Sequence, residues 1–363
     1  MTRARVRRPA AATASLATAL TAVALAAAVL AGAGAVAGCS PGGEDGLRVG
    51  LAYDIGGRGD RAFNDAAATG LDQVRRELAG SLGDVRELTA RVRESEKDKY
   101  DRLKLLCEAG FGVVIAVGYE YAGVDAADGP LARAAAECPQ TRFAIVDDAR
   151  VAAPNVVSLV FAEEQGSFLV GVVAGRRTRT GRVGFVGGCE NALIRKFAAG
   201  FRAGVAAVRP NAPVDVRYLY GDKLPCPGFT AAAQAREVAG RLYDGGADIV
   251  YHAAGGSGLG VFEAARDRGR LAIGVDTDQY TTVGAELREV ILTSMVKRVD
   301  TAVFTVVSEV VHGRFTPGQR RFDLSVKGVT YATSGGRIND LRQELEAYEK
   351  KIIDGSVIVP TNP

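Results

Sequence analysis

Gly181-Arg182-Val183-Gly184-Phe185-Val186 is the stretch at which this chain begins again. Upstream of it, short β-branched runs alternate with longer helical stretches. Strands are expected at Leu47–Tyr53, Val113–Val117, Arg142–Val146 and Val156–Phe161, and helices over Asn64–Leu78, Lys97–Ala109 and Leu131–Glu137. Downstream the alternation restarts, with strands expected at Val183–Val186, Val214–Leu219, Ile249–His252, Leu271–Val275 and Val290–Thr293, and helices at Asn191–Val208, Thr230–Tyr243 and Gly258–Arg268. Near-continuous apolar runs are what parallel strands covered on both faces require. Strand–helix alternation in turn implies an α/β fold with right-handed crossovers. Two such series predict two doubly wound parallel-sheet lobes with a ligand cleft between them, because ligands on these sheets bind beyond the carboxyl ends of the strands. The N-terminal lobe is expected over 47–162, joined by part of 290–325, and the C-terminal lobe over 163–289, joined by part of 326–363.

The chain has 363 residues, 47% apolar and 24% charged, a globular composition. Its formal charge of +3 is unevenly spread: residues 1–38 hold Arg3, Arg5, Arg7 and Arg8 and no acid, so the remaining 41 bases face 42 acids, a net of −1. A near-neutral body argues against nucleic-acid binding, which needs a concentrated basic face. With only His252 and His312, material for a histidine-rich metal site or a Ser-His-Asp triad is scarce, and no metal or cofactor is expected.

The four arginines precede an uncharged Ala-, Val- and Leu-rich run from Ala10 to Ala37, a positive n-region followed by an apolar h-region. The run is long enough to span a bilayer, which takes roughly 20 residues. The next residues favour cleavage: Val36-Ala37-Gly38-Cys39, then Ser40-Pro41-Gly42-Gly43. The V-A-G-C spacing resembles a bacterial lipobox, which makes 1–38 a lipoprotein signal peptide, Cys39 the lipidated residue and 39–46 a tether. The alternative is an uncleaved anchor helix with an incidental cysteine. The lipobox reading places the protein on the extracytoplasmic face of the cell membrane, anchored and not spanning. Four cysteines then remain. Pairing Cys107 with Cys138 and Cys189 with Cys226 keeps each bridge within one half of the chain, free buried thiols being the alternative.

Four segments at strand ends carry polar chemistry. Val49-Gly50-Leu51-Ala52-Tyr53-Asp54-Ile55-Gly56-Gly57-Arg58-Gly59-Asp60-Arg61-Ala62-Phe63-Asn64-Asp65 runs from a strand through a glycine-rich loop into a helix. Asp54 and Asn64 offer acceptors and an amide to sugar hydroxyls or a base edge, and Phe63 offers a ring for stacking, unless it folds inward as a helix staple. The loop lacks the P-loop spacing, and acids flank its glycines. Ala253-Ala254-Gly255-Gly256-Ser257-Gly258-Leu259-Gly260 exposes backbone N–H groups at a helix start, but Val261 breaks the dinucleotide fingerprint. Asp276 and Asp278 just past a strand suit hydroxyl binding, helix capping or acid/base catalysis. Lys297 is expected in the first turn of a helix running to Val311, against the dipole's preference, with an ordinary solvated lysine as the alternative.

These motifs, with E-E-Q-G-S-F-L-V-G (163–171), F-A-A-G-F-R-A-G-V (197–205) and T-S-M-V-K-R-V-D (293–300), resemble those of the basic membrane lipoprotein, or PnrA-like, family of ABC-transporter substrate-binding proteins. The resemblance covers essentially the whole mature chain. It implies a type I periplasmic-binding-protein fold and a monomer that is not an enzyme. Such a protein captures nucleosides, often purine nucleosides, and delivers them to a permease coupled to an ATPase. Residue by residue it implies stacking by Phe63 and Phe229, an amide contact from Asn64, polar contacts from Asp54, Asp276 and Lys297, and a backbone contact from Gly255. The first-lobe acid that contacts the base is assigned to Asp125. In the family's S-F-x-D-P-like segment, here Gly228-Phe229-Thr230-Ala231-Ala232, the aspartate and proline are replaced by Ala231 and Ala232. Two other functions compete with this one. A sensor feeding a membrane signalling partner would share the binding fold, and a nucleoside-processing enzyme would use Asp276 and Asp278.

Overall fold

The computed structural model describes residues 46–91 and 93–362; the signal-peptide reading of 1–38 and the lipidation of Cys39 lie outside the described residues. The first series runs β1 (Leu47–Ala52), α1 (Phe63–Glu77), β2 (Leu82–Leu88), α2 (Glu96–Glu108), β3 (Val113–Ala116), α3 (Pro130–Glu137), β4 (Arg142–Val146) and β5 (Val156–Phe161). The second runs α4 (Glu163–Arg177), β6 (Val183–Cys189), α5 (Ala192–Val208), β7 (Val214–Tyr220), α6 (Ala232–Asp244), β8 (Ile249–Ala253), α7 (Gly258–Arg268) and β9 (Leu271–Asp276). Then come the short turns α8 (Gln279–Thr282) and α9 (Ala285–Arg288), β10 (Ile291–Lys297), α10 (Val299–Val311), β11 (Gly318–Phe322), β12 (Val329–Tyr331) and α11 (Arg342–Ile353).

The strands form two six-stranded sheets, ordered β11-β5-β4-β3-β1-β2 and β12-β10-β9-β8-β6-β7. Every pairing is parallel except β10 with β12. The chain crosses between sheets at 161–163, 297–299 and 322–329. The crossings are laced together, since the Ala162 N–H donates to Phe322 O at 3.0 Å and the Arg298 N–H to Gly328 O at 2.9 Å. In each sheet the order reverses beside the first strand, at β1/β3 and β6/β8, the switch points where such sheets bind ligands.

Central strands β1, β3, β4 and β8 are buried almost throughout, which is why their apolar runs are readable. The strands absent from the sequence reading are edges: β2 (L-G-D-V-R-E-L) and β11 (G-Q-R-R-F) alternate or expose polar side chains, and β12 is only three residues long. Helix α4 also escapes periodicity analysis, because its stretch from Gly166 to Gly175 is buried on every side. Its partner is α5. A Cβ on Gly200 would stand 2.0 Å from Glu164 O, and one on Gly204 would stand 2.0 Å from Phe168 O, so the glycines of F-A-A-G-F-R-A-G-V let the two backbones touch. That motif is therefore a packing device. Disulfides join Cys107 to Cys138 in the first lobe and Cys189 to Cys226 in the second.

Candidate functional site

Loop 54–62 connects β1 to α1 and is organised by its own side chains. Asp60 accepts from the N–H groups of Ala62 (2.9 Å), Asn64 (2.9 Å) and Asp65 (3.1 Å), satisfying the otherwise orphaned start of α1. Asn64 Oδ1 accepts from the Asp54 N–H at 3.1 Å, while its Nδ2 donates to Ile55 O (3.2 Å) and Asp60 Oδ2 (3.0 Å). Both amide donors of Asn64 are thus engaged within the loop. The amide expected to contact a ligand also holds the loop that presents Asp54 and Phe63.

Across from this loop, the end of β6 is bridged to Cys226, and the adjoining turn, Pro227–Phe229, lies on the loop after β8. Ser257 Oγ donates to Gly228 O (2.8 Å) and accepts from the Ala231 N–H (2.7 Å), clamping the turn that carries Phe229. Gly255 takes φ +50° there, which favours glycine, and a Cβ on it would make only ordinary contact with Phe229 Cβ at 3.5 Å. Substitution of the family's aspartate and proline after Phe229 leaves the ring facing the cavity, because Ser257 and the disulfide hold the turn.

Together these elements line one cavity, whose atom-free space of about 520 Å³ is in part open to solvent. Asp54, Phe63, Asn64, Phe229, Gly255, Asp276 and Lys297 all line it, drawn from both lobes. Asp125 does not. It is exposed, its carboxylate accepting from the nearby Ala127 N–H at 3.0 Å, because Gly123, at φ +75°, turns the chain outward before it. The first-lobe wall there is formed by Tyr119. The acid pair after β9 divides likewise: Asp276 lines the cavity, whereas Asp278 accepts from Ser334 Oγ.

Lys297 departs from the helical expectation. It is the last residue of β10, where the crossing begins, and is 2% exposed. Its Nζ lies 2.5 Å from Asp147 Oδ2 and 3.3 Å from Glu163 Oε1, and Glu163 is paired in turn with Lys196 at 3.1 Å. The rings of Phe63, Phe161 and Phe197 surround the ammonium at 5.0, 5.1 and 5.6 Å from their centroids, within cation–π range. Burial disfavours the Lys297 charge, but Asp147, Glu163 and Asp276 outweigh it and hold its pKa above the ordinary lysine value. Asp147 also lines the cavity and keeps one buried oxygen, Oδ1, without a partner. It is legible in the sequence only as an acid just past an apolar strand, the same signal that marks Asp276.

Burial raises the Asp276 carboxyl to about 7, with Lys297 opposing and Asp147, Asp60 and Glu163 adding to the rise. Burial and then Glu120 raise Asp54 to about 7. On the first-lobe side Glu120 bridges the lobes, its Oε1 accepting from the Cys226 N–H at 2.8 Å while Lys99 pairs with Oε2 at 2.9 Å. Gln279 Nε2 and Thr277 Oγ1 both donate to Arg61 O, at 3.0 and 3.1 Å. These contacts describe lobes closed on one another. Two features complete the chemistry. Among the described residues no group of three or more His, Cys, Asp or Glu side chains is placed to hold a metal ion. Ring faces, carboxylates and a caged ammonium, drawn from opposed lobes, share one cavity.

The model of a family described as ABC transporter substrate-binding protein PnrA-like matches residues 48–363. The chain belongs to that family. A CD4+ T-cell-stimulating antigen of Listeria innocua is 35% identical over 333 residues, 87% of this chain and 88% of the relative. The ABC transporter nucleoside-binding protein BmpA of Lactococcus lactis is 29% identical, covering 87% of this chain and 89% of its own. Among solved structures, an ABC transporter solute-binding protein from Aeropyrum pernix K1 superposes with a TM-score of 0.71 at 25% identity, over 86% of this chain and 94% of that one. An arabinose-binding protein from Geobacillus stearothermophilus shares the fold at a TM-score of 0.58. The architecture is thus the type I periplasmic-binding-protein fold, in a substrate-binding protein of the PnrA-like family. No helix among the described residues is long and apolar enough to cross a membrane.

Proposed function

We propose that this substrate-binding protein captures a nucleoside, a purine nucleoside foremost, between its lobes. It then delivers the ligand to the permease of an ABC importer as a monomer anchored through lipidated Cys39 on the extracytoplasmic face. One observation carries the reading: Phe63 and Phe229, from opposite lobes, line the same cavity as the acceptors Asp54 and Asp276. A planar base fits between rings, each stack contributing about 1–3 kcal/mol by analogy with single-strand binding. Asp276 and Lys297 suit ribose hydroxyls, and a ligand lacking them leaves buried acceptors unpaired. Four carboxylates line the cavity (Asp54, Asp60, Asp147, Asp276) against one ammonium already matched by Asp147 and Glu163. That balance favours a neutral, donor-rich ligand and opposes a phosphorylated one. The name of the Lactococcus lactis relative points the same way.

The test is calorimetric titration with nucleosides, free bases, ribose and nucleoside monophosphates. A nucleoside binding tightly while its monophosphate does not supports the reading; a ribose-only or phosphate-tolerant protein contradicts it. Release of free base from inosine during the titration would instead favour an enzyme.

A further inference from the structure

Cys226 stands where three constraints meet. It is buried and bridged to Cys189, the equally buried last residue of β6. Three residues further on, Phe229 lines the cavity. Between them the turn packs backbone to backbone on the strand: a Cβ on Gly228 would fall on Gly188 O, and one on Gly188 would lie 2.7 Å from the Phe229 ring. The third constraint comes from the other lobe. Glu120, 3% exposed, accepts from the Cys226 N–H at 2.8 Å, and Lys99 holds its second carboxylate oxygen at 2.9 Å. A buried N–H has to be paired, and the partner of this one belongs to the opposite lobe, so opening the cleft breaks the bond. The turn that carries Glu120 also borders the cavity, where Tyr119 meets Phe229 edge-on with centroids 6.4 Å apart. The other disulfide is a contrast. Cys107–Cys138 ties α2 to the end of α3 within the first lobe, and neither cysteine lines the cavity.

We propose that Cys226 couples lobe closure to the aromatic wall of the site: Glu120 docks on its N–H as the lobes meet, the disulfide to β6 holds Phe229 in the pose that this docking requires, and the latch so formed retains the ligand. The inference rests on the nucleoside reading of the cavity and adds how the nucleoside is kept. Glu120 and the two cysteines act through Phe229 and are positioning residues. A carboxylate is the stronger kind of acceptor for such an N–H, roughly twice a neutral one. A bond made only in the closed state opposes opening and plays no part in encounter, so its loss speeds release more than it slows binding. The same turn is where the chain departs from its family. A proline would stiffen it by fixing φ; Ala232 stands there instead, and the disulfide supplies the constraint.

The experiment follows radiolabelled inosine or adenosine, whichever the wild type binds more tightly, measuring association and release by rapid filtration and thermal midpoints alongside. Glu120→Ala is expected to release the nucleoside about tenfold faster with association little changed, as loss of a buried hydrogen bond to a charged group implies. Glu120→Gln keeps an oxygen for the Cys226 N–H and should recover most of that loss. Replacing Cys189 and Cys226 together by serine should speed release likewise, and adding Glu120→Ala to that variant should contribute far less than it does alone, because the two changes act through one contact. Replacing Cys107 and Cys138 by serine should lower the thermal midpoint while leaving release within about twofold of wild type. Unchanged release in Glu120→Ala, additive effects in the combined variant, or equal effects of the two disulfides on release overturns this inference and leaves the nucleoside reading standing. Where the variant without Cys189 and Cys226 does not fold, the contrast between Glu120→Ala and Glu120→Gln decides, equal release from both overturning the latch. Failure of the wild type to bind either nucleoside overturns both.

Discussion

At one end of the cavity Lys297 is matched at close range by Asp147 and Glu163, walled by three phenyl rings, and placed where the chain crosses between lobes. Elsewhere on the cavity wall Tyr119 and Phe229 meet edge to face, and the Tyr119 hydroxyl is buried without a hydrogen-bond partner. The first region has its buried charge matched before any ligand arrives, with only Asp147 Oδ1 left over on the cavity wall, and so contributes to folding as well as to binding. The second is completed only by something that enters. Effects of substitution should divide along the same line, with stability concentrated at the charged end and selectivity at the aromatic end.

The largest effect is expected at Lys297. Lys297→Met leaves Asp147 and Glu163 buried without their shared cation, and removing one partner of a buried pair costs about 3–5 kcal/mol. Denaturant unfolding should show that loss together with loss of nucleoside binding; near-wild-type stability would erase the distinction between the two ends. Next comes Phe63→Ala, at a half-buried ring on the cavity wall beside the Lys297 ammonium. Nucleoside affinity should fall by about 1–3 kcal/mol in calorimetry, with a thermal midpoint shifted far less than in the Lys297 variant.

A pH series sharpens the contrast further. Asp276 is held near 7 by burial, whereas in the unfolded chain it titrates near 4. The folded protein therefore retains that proton across roughly pH 4–7, and the unliganded protein loses stability as pH rises through this window. Asp54, also raised to about 7 in the folded state, acts in the same direction. Binding has the opposite slope: hydroxyls donating to Asp276 favour the carboxylate, so nucleoside affinity should climb with pH and level off above about 7. Asp276→Asn should flatten the affinity profile measured by calorimetry from pH 5.5 to 8.5 (about 3 pH units across both ionisation states). The smallest effect is expected for Asp125→Ala, which lies in solvent and should leave both affinity and stability within about 0.5 kcal/mol of wild type.

The legible parts of this molecule are those whose signals are local. Strand β1 and its neighbours read as apolar runs because both faces are covered, and the glycine-rich loop after Asp54 reads as a turn because its residues allow little else. Edge strands β2 and β11 are invisible for the complementary reason, a solvated face that removes the pattern. Within the site, Phe63, Gly255, Asp54 and Asp276 are found by type and position, and Phe229 only through the family resemblance. Asn64 is found too, but its amide organises the loop. Tyr119, Phe197 and Glu163 are missed, since an aromatic in a short turn, or an acid opening a fully buried helix, carries no distinctive pattern.

Sequence by itself determined that two α/β series succeed one another, that polar residues gather at their strand ends, and which side chains have the chemistry to meet a base and a sugar. Hydrophobic periodicity and turn chemistry act over a few residues, so a one-dimensional reading captures them. Only the tertiary structure decided which acids face the cavity (Asp276 and Asp147, but neither Asp278 nor Asp125) and that Lys297 ends a strand deep in the interior. The partner that makes its burial tolerable, Asp147, is 150 residues away along the chain. Compensation of a buried charge depends on distance in space, and that distance exists only once the lobes have folded and met.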